Sequence, residues 1–235
     1  MQAHLPEKLD YATMTPADRF RLTRTENNIV FDNMAFMFQG KAANTSIKAA
    51  VLSMGGRLDE GLNIHADPRL RYVATGFLLN RMASYNIIGV VRRPWDRYVS
   101  FWRDKIAGRT IHNFSAHYIH GAYPDMPFED FVVTVLQQLD SNKVQNFLNY
   151  FQRFEDRFIK AGVLVPHKLV RYDHLEEDWN KVRMIYPRLP ELPHYNKAEK
   201  VPLRFKEDDT QAKMQGRVWS HYEHEYSYFG WRRYD

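Results

Sequence analysis

Two short segments hold the residue types that can do chemistry. The first is Gln39-Gly40-Lys41-Ala42-Ala43-Asn44-Thr45-Ser46, lying between the apolar run Met34 to Phe38 and the helix-like run Ile47 to Leu52. It sets a cation, small residues and two hydroxyls just before a helix. Helix N-termini expose unpaired N–H groups and the positive end of the dipole, which favours a phosphate or sulfate. Ala42 and Ala43 let the backbone come close, Thr45 and Ser46 can donate to oxyanions, and Lys41 adds a point charge. This is not a Walker A loop, in which the lysine comes late, after a glycine-rich stretch. The same residues also suit a helix simply capped by Thr45 or Ser46, with Lys41 in solvent. The second segment is Arg92-Arg93-Pro94-Trp95-Asp96-Arg97-Tyr98-Val99-Ser100. Arg92 leaves a buried strand and Ser100 lies two turns into the next helix, a pair able to hold a second anionic group. The alternative is an Arg92 paired with Asp96 or Asp104 and a Ser100 bonded back to its own helix.

The elements that must position these segments are legible as alternating strands and helices. Met34 to Phe38 reads as a strand, Ile47 to Leu52 as a helix stopped by Gly55-Gly56. Asp67-Pro68 reads as a helix start, with Leu70, Val73, Ala74, Phe77 and Leu78 as its apolar face. Asn86 to Val91 is a second strand, and the helix from Pro94 carries Trp95, Tyr98, Val99, Trp102 and Ile106 at helical spacing. That spacing makes the aromatic residues core rather than a base-stacking platform, although one of them can still touch a bound ligand. Residues 109–126 read as loop, 127–139 as helix, 142–160 as helix, 163–172 as strand interrupted by Pro166, and 173–185 as helix. A Pro-rich loop follows, and residues 208–226 read as a polar amphipathic helix. The predicted fold class is α/β: a single domain over residues 28–235 with a central, mainly parallel sheet flanked by helices, preceded by a polar arm at residues 1–27.

Composition narrows the chemistry. The 235 residues include no cysteine, which excludes a disulfide scaffold, a thiolate metal site and a cysteine nucleophile. The net charge is +5, and 21 of the 33 cations are Arg, the side chain whose planar fork matches phosphate and sulfate. That excess is too small to mark a nucleic-acid binder. No apolar run reaches the roughly 18 residues of a membrane span, and the first residues lack the apolar core of a signal peptide. The expectation is a soluble, cytoplasmic chain, although a segment of a longer anchored protein would read the same.

Together the two segments resemble the sulfotransferases that use 3′-phosphoadenosine 5′-phosphosulfate, most closely the carbohydrate (family 2) branch and its soluble bacterial relatives. That family has a P-K-x-x-x-[ST]-[ST]-like loop after its first strand. Its later R-[DN]-P-[WF]-[DE]-R-[LY]-x-S segment has the spacing of eight that separates Arg92 from Ser100 here. Further likenesses are Leu169 to Asp178, Leu192-Pro193-His194-Tyr195-Asn196-Lys197 and Tyr226 to Trp231, so that the resemblance covers about residues 30–231. Departures are Gln39-Gly40 where Pro is usual, Arg93 where Asp or Asn is usual, and Ala198 where Ser is common. The resemblance implies a P-loop-nucleotide-kinase-like sulfotransferase fold. It also implies in-line transfer of a sulfuryl group to an acceptor hydroxyl. Lys41 and the 41–46 loop (Lys41, Ala42, Ala43, Asn44, Thr45 and Ser46) would hold the 5′-phosphosulfate, and Arg92 and Ser100 the 3′-phosphate. Arg171 and Lys197 are candidates for extra anion contacts, as is Lys200, with ordinary surface charge as the alternative for each. No metal is required, because the donor already carries an activated sulfate.

A general base must take the acceptor's proton, and histidine suits that work near neutrality. His65, between the two donor segments, is the first choice, because the family often has a histidine there. His112, His117 and His120 are the runners-up, and Glu60 is a carboxylate alternative. A metal site at His112, His117 and His120 lacks a nearby carboxylate. His221 and His224, beside Glu223 and Glu225, read as a solvated helix face. The expected partner is a hydroxyl-bearing small molecule or glycan, with no nucleic acid. The loops 55–66, 109–126 and 187–203 would select it, and nothing in their composition names it. Competing readings are an inactive module of the same fold that binds nucleotides or anionic glycans, and a kinase-like phosphotransferase, against which the missing Walker A loop counts.

Overall fold

The computed structural model describes residues 28–56, 58, 63–107, 121–140, 148–193, 201–203, 205 and 209–233. One compact unit comprises the described residues of Met1–Phe38, Ala43–Val91 and Glu155–His194. The other comprises those of Gln39–Ala42, Arg92–Phe154 and Tyr195–Asp235.

The first unit is built on a five-stranded sheet of order β3-β1-β2-β4-β7. Its strands are β1 (Asn28–Phe31), β2 (Met34–Phe38), β3 (Arg71–Val73), β4 (Asn86–Val91) and β7 (Lys168–Arg171). β2 runs parallel to β4, and β4 parallel to β7. β1 pairs antiparallel with both β2 and β3. The sheet is therefore mixed, and the expected parallel arrangement holds for its β2–β4–β7 half. β2 and β4 are apolar at nearly every position because both of their faces are buried, as strands covered on two sides must be. Helix α1 (Asn44–Ser53) follows β2 and buries Ile47 to Leu52. Its last turn closes where Gly55 and Gly56 donate back to Leu52 and Ser53, as the two glycines predict.

One predicted element is absent. No helix starts at Asp67-Pro68. The Asp67 carboxylate is spent on a local turn, accepting the Arg69 backbone N–H at 2.9 Å and the Arg69 guanidinium at 3.0 and 2.8 Å. The chain then forms edge strand β3 and only afterwards the short helix α2 (Thr75–Leu79). β1 is an element that the sequence reading left unassigned. A small hairpin, β5 (Ile159–Lys160) with β6 (Val163–Leu164), precedes β7. Helix α7 (Leu175–Ile185) packs back on β7, its Trp179 ring 6.1 Å from Phe36.

The second unit is helical. α3 (Pro94–Lys105) starts at Pro94, whose missing N–H costs nothing in the first turn. It packs with α4 (Phe128–Asp140), α5 (Leu148–Phe151) and α8 (Thr210–His221). The core holds Trp95, Tyr98, Trp102, Phe131, Tyr222 and Tyr226, so the aromatic stripe of α3 is core as expected. The stretch 142–160 is not one helix: α5 and α6 (Phe154–Phe158) are separate short helices within it. The C-terminal helix breaks at Tyr222 into α8 and α9 (Glu223–Phe229). Its solvated-face reading holds for Glu223 and His224, which are exposed. It fails for Glu225, which is fully buried, and for His221, which lies 3.4 Å from Asp140. Among the described residues, no helix is long and apolar enough to cross a membrane.

Candidate active site

In the second unit, Lys41 takes a left-handed backbone (φ 61°), a conformation that costs a non-glycine residue energy and clusters at functional sites. Its Nζ donates to Asp104 Oδ2 at 2.8 Å, from the last turn of α3. Burial pulls the Lys41 ammonium below its ordinary range, and Asp104 offsets part of that fall. Burial likewise pushes the Asp104 carboxyl up, but Lys41 and Lys105 outweigh it and hold the group below the usual carboxylate range.

Asp96 takes Arg93 through two hydrogen bonds of 3.0 and 3.3 Å, and Asp104 takes Lys41. Arg92 Nη1 instead donates to the Lys41 carbonyl at 2.7 Å. The Arg92 backbone N–H donates to Gln39 Oε1 at 3.1 Å, and Gln39 Nε2 donates to Glu225 Oε1 at 2.9 Å. Glu225 accepts Arg97 Nη2 at both oxygens (2.9 Å each) and the Phe154 N–H at 3.2 Å. Such a buried ion pair is tolerated only when the remaining lone pairs and protons are also satisfied, as they largely are here. Gln39 thus ties the turn after β4 to a buried charge network. Ser100 sits half-buried on α3.

In the first unit, α1 begins at Asn44 behind Ala43, which is left-handed (φ 48°) and supplies no side-chain cap. Thr45 and Ser46 do not cap the helix, contrary to the simpler sequence alternative. No acidic residue stands in the first turn. The N–H groups there keep the positive field of the helix end, with no carboxylate of that turn to neutralise it. Asn44 Oδ1 is buried with no hydrogen-bond partner among the described residues.

Thr45 Oγ1 lies 3.1 Å from His65 Nε2, so two of the predicted site residues meet. His65 stands on a 3-10 turn, Ile64–Ala66, fixed by Asn63 Oδ1, which accepts the His65 N–H at 3.2 Å. Behind the ring, Lys48 Nζ is 3.3 Å from His65 Nδ1 and donates to the Tyr72 hydroxyl at 2.9 Å. The Tyr72 hydroxyl donates to the His65 carbonyl at 2.8 Å. Lys48 is 0% exposed. Burial pushes its pKa down to about 8 and pushes that of Tyr72 up.

Arg171 is held by a carboxylate. Its Nε and Nη2 are engaged by Asp178 at 2.8 and 3.1 Å, tying the end of β7 to α7. Lys197, Lys200, Ala198, His112, His117, His120, Glu60 and the arm at residues 1–27 lie outside the described residues. Among the described residues, no group of His, Asp and Glu gathers in a way that could hold a metal ion.

Sequence reasoning missed Lys48, Tyr72, Gln39 and Glu225. Lys48 carried one signal: it is a charge inside the otherwise apolar run Ile47 to Leu52. Glu225 carried none, because a glutamate beside Glu223 and His224 reads as solvated.

No curated protein and no solved structure matches the chain. A family model does, described as the sulfotransferase family, and it matches residues 31–234. The match takes in the 41–46 loop, the 92–100 segment and His65 together. With a span that extends over most of the sequence, the chain belongs to the sulfotransferase family, whose members transfer sulfuryl groups.

Proposed function

We propose that the chain transfers a sulfuryl group from 3′-phosphoadenosine 5′-phosphosulfate to a hydroxyl of a carbohydrate or other small acceptor, by in-line displacement. The uncapped, carboxylate-free first turn of α1 and the left-handed backbone at Lys41 and Ala43 suit a dianionic phosphosulfate. The bound donor would supply the activated sulfuryl group. Lys41 and the loop N–H groups would stabilise charge growing on the leaving oxygen, as preorganised donors do. Arg92 and Ser100 would hold the 3′-phosphate. His65 would accept the acceptor's proton. The parallel β2–β4–β7 strands, with ligand loops following β2 and β4, support the nucleotide-kinase-like sulfotransferase fold of the carbohydrate branch.

One observation carries this reading: the Thr45 hydroxyl of the expected phosphosulfate loop stands 3.1 Å from the expected base. Calorimetry with 3′-phosphoadenosine 5′-phosphate and with ADP tests it. The 3′-phosphorylated nucleotide should bind more tightly. Arg92→Ala should weaken that nucleotide by roughly 10- to 100-fold, the worth of a charge-assisted hydrogen bond, and leave ADP nearly unchanged. Equal affinity for the two nucleotides, or none for either, would sink the donor assignment. A screen of hydroxyl acceptors with labelled donor then separates an enzyme from a module that binds without turnover.

A further inference from the structure

We propose that Lys48 is a positioning residue for His65: it sets which imidazole nitrogen carries the proton, and it takes a proton over from the ring when His65 accepts one. This rests on the reading of His65 as the base. Lys48 is fully buried, so it acts through His65 and does not touch the acceptor.

The argument is one of donors and acceptors. The Tyr72 hydrogen is committed to the His65 carbonyl, so toward Lys48 the phenol oxygen can only accept. An ammonium has donors and no lone pair. A charged Lys48 therefore meets a His65 Nδ1 lone pair, and the ring proton must sit on Nε2, aimed at Thr45 Oγ1. In that state Nε2 has nothing with which to accept a proton. A neutral Lys48 still donates to Tyr72 and now offers a lone pair to Nδ1–H. The Nε2 lone pair is then the one directed toward Thr45, on the side expected to hold the donor.

Burial brings the neutral amine within reach. Among the described residues, the groups facing Lys48 include the His65 ring on the 3-10 turn, the Tyr72 phenol on β3, whose ring centroid is 4.6 Å from Nζ, and the Phe38 ring on β2 at 5.9 Å. Burial among them brings the Lys48 pKa to about 8, while burial keeps Tyr72 a neutral phenol over the same range. In the transfer, the acceptor O–H bond breaks as Nε2–H forms, and the Nδ1–H bond breaks as Nζ–H forms. The freed oxygen pair makes the new O–S bond, and the old S–O bond breaks with its pair remaining on the phosphate. His65 ends neutral and Lys48 ends as the ammonium, which returns its proton through the same ring.

Nitrogen-15 NMR of the His65 ring in the free protein, titrated from about pH 6.5 to about 9.5, reads the tautomer without donor or acceptor. Nε2–H should predominate at the acid end and Nδ1–H at the alkaline end, with the change centred near the Lys48 pKa of about 8. In turnover, kcat/KM should rise through the same pH. Lys48→Arg keeps both donated hydrogen bonds but stays charged, so it should hold Nε2–H throughout and lower kcat/KM by roughly 100-fold without an alkaline rise. Lys48→Met should abolish the inflection near pH 8. An unchanged tautomer across the wild-type titration overturns the proposal, and so does an Arg variant with the wild-type profile, which is what a merely structural lysine would give. Failure of the functional reading looks different: the tautomer still switches, but no acceptor is sulfated.

Discussion

At the residue scale, an aspartate supports the charge of a lysine that burial works against. Lys41 is pulled down by burial and supported by Asp104 at 2.8 Å. The proposed role of Lys41 needs the ammonium, since only the charged form offsets a growing negative charge. Asp104→Asn removes the support and leaves the burial, so Lys41 should lose its proton at lower pH. The alkaline limb of the kcat profile should then move to lower pH, with a smaller loss near neutrality than the roughly 100- to 1,000-fold expected for Lys41→Ala. A limb that stays in place in the Asn variant would show that Asp104 does not hold the lysine's charge. Lys41, Thr45 and Arg92 could be singled out as candidates from the sequence because each motif is contiguous and its chemistry is local. Lys48 was not, because its burial depends on Tyr72 and His65, which lie 24 and 17 residues away.

At the element scale, short pieces defeat periodicity. Leu70, Val73, Ala74, Phe77 and Leu78 satisfy a helical repeat, yet the segment holds a three-residue strand and a five-residue helix. A window of one helical turn cannot tell these apart, and what decides is pairing with β1, where Tyr72 lies opposite Ile29. The difference matters, because strand β3 carries the Tyr72 that meets Lys48. The long buried strands β2 and β4 were legible because their apolar runs are bounded by polar turns. β4 also has a tight spot. Gly89 pairs in register with Leu169 of β7, and a Cβ there would lie 2.7 Å from Leu169 Cδ2 and 2.8 Å from Pro166 Cγ. Gly89→Ala should therefore cost about 1–3 kcal/mol, the usual range for overpacking a filled core. A urea midpoint equal to wild type would mean that β4 and β7 can part without penalty.

At the scale of the whole molecule, the +5 charge matters less than where individual charges are buried. Asp104 and Asp178 are held below the usual carboxylate range, their cationic neighbours outweighing the upward push of burial. Their contribution is present above about pH 4, where unfolded carboxyls titrate, and is lost as pH falls through the lower folded values. Lys48 acts at the other end. Its folded pKa of about 8 lies below the unfolded value, so between the two the unfolded chain binds more protons. Stability should then rise with pH, at no more than about 1.4 kcal/mol per unit for one group. Lys41, also lowered, adds in the same direction. The window closes near pH 10, where unfolded tyrosines ionise. Tyr226, pushed up by burial to about 12, and Tyr98 and Tyr222, also raised, then favour the folded state less as pH climbs. Urea midpoints between pH 7 and 10 should climb in the wild type and climb less in Lys48→Met. A wild-type midpoint that falls over that range, in parallel with the Met variant, would mean that Lys48 is hydrated and carries its charge at ordinary cost. A rise that shares its inflection with the His65 tautomer change would tie both to one buried proton, and that coincidence is what a lysine acting only as packing could not produce.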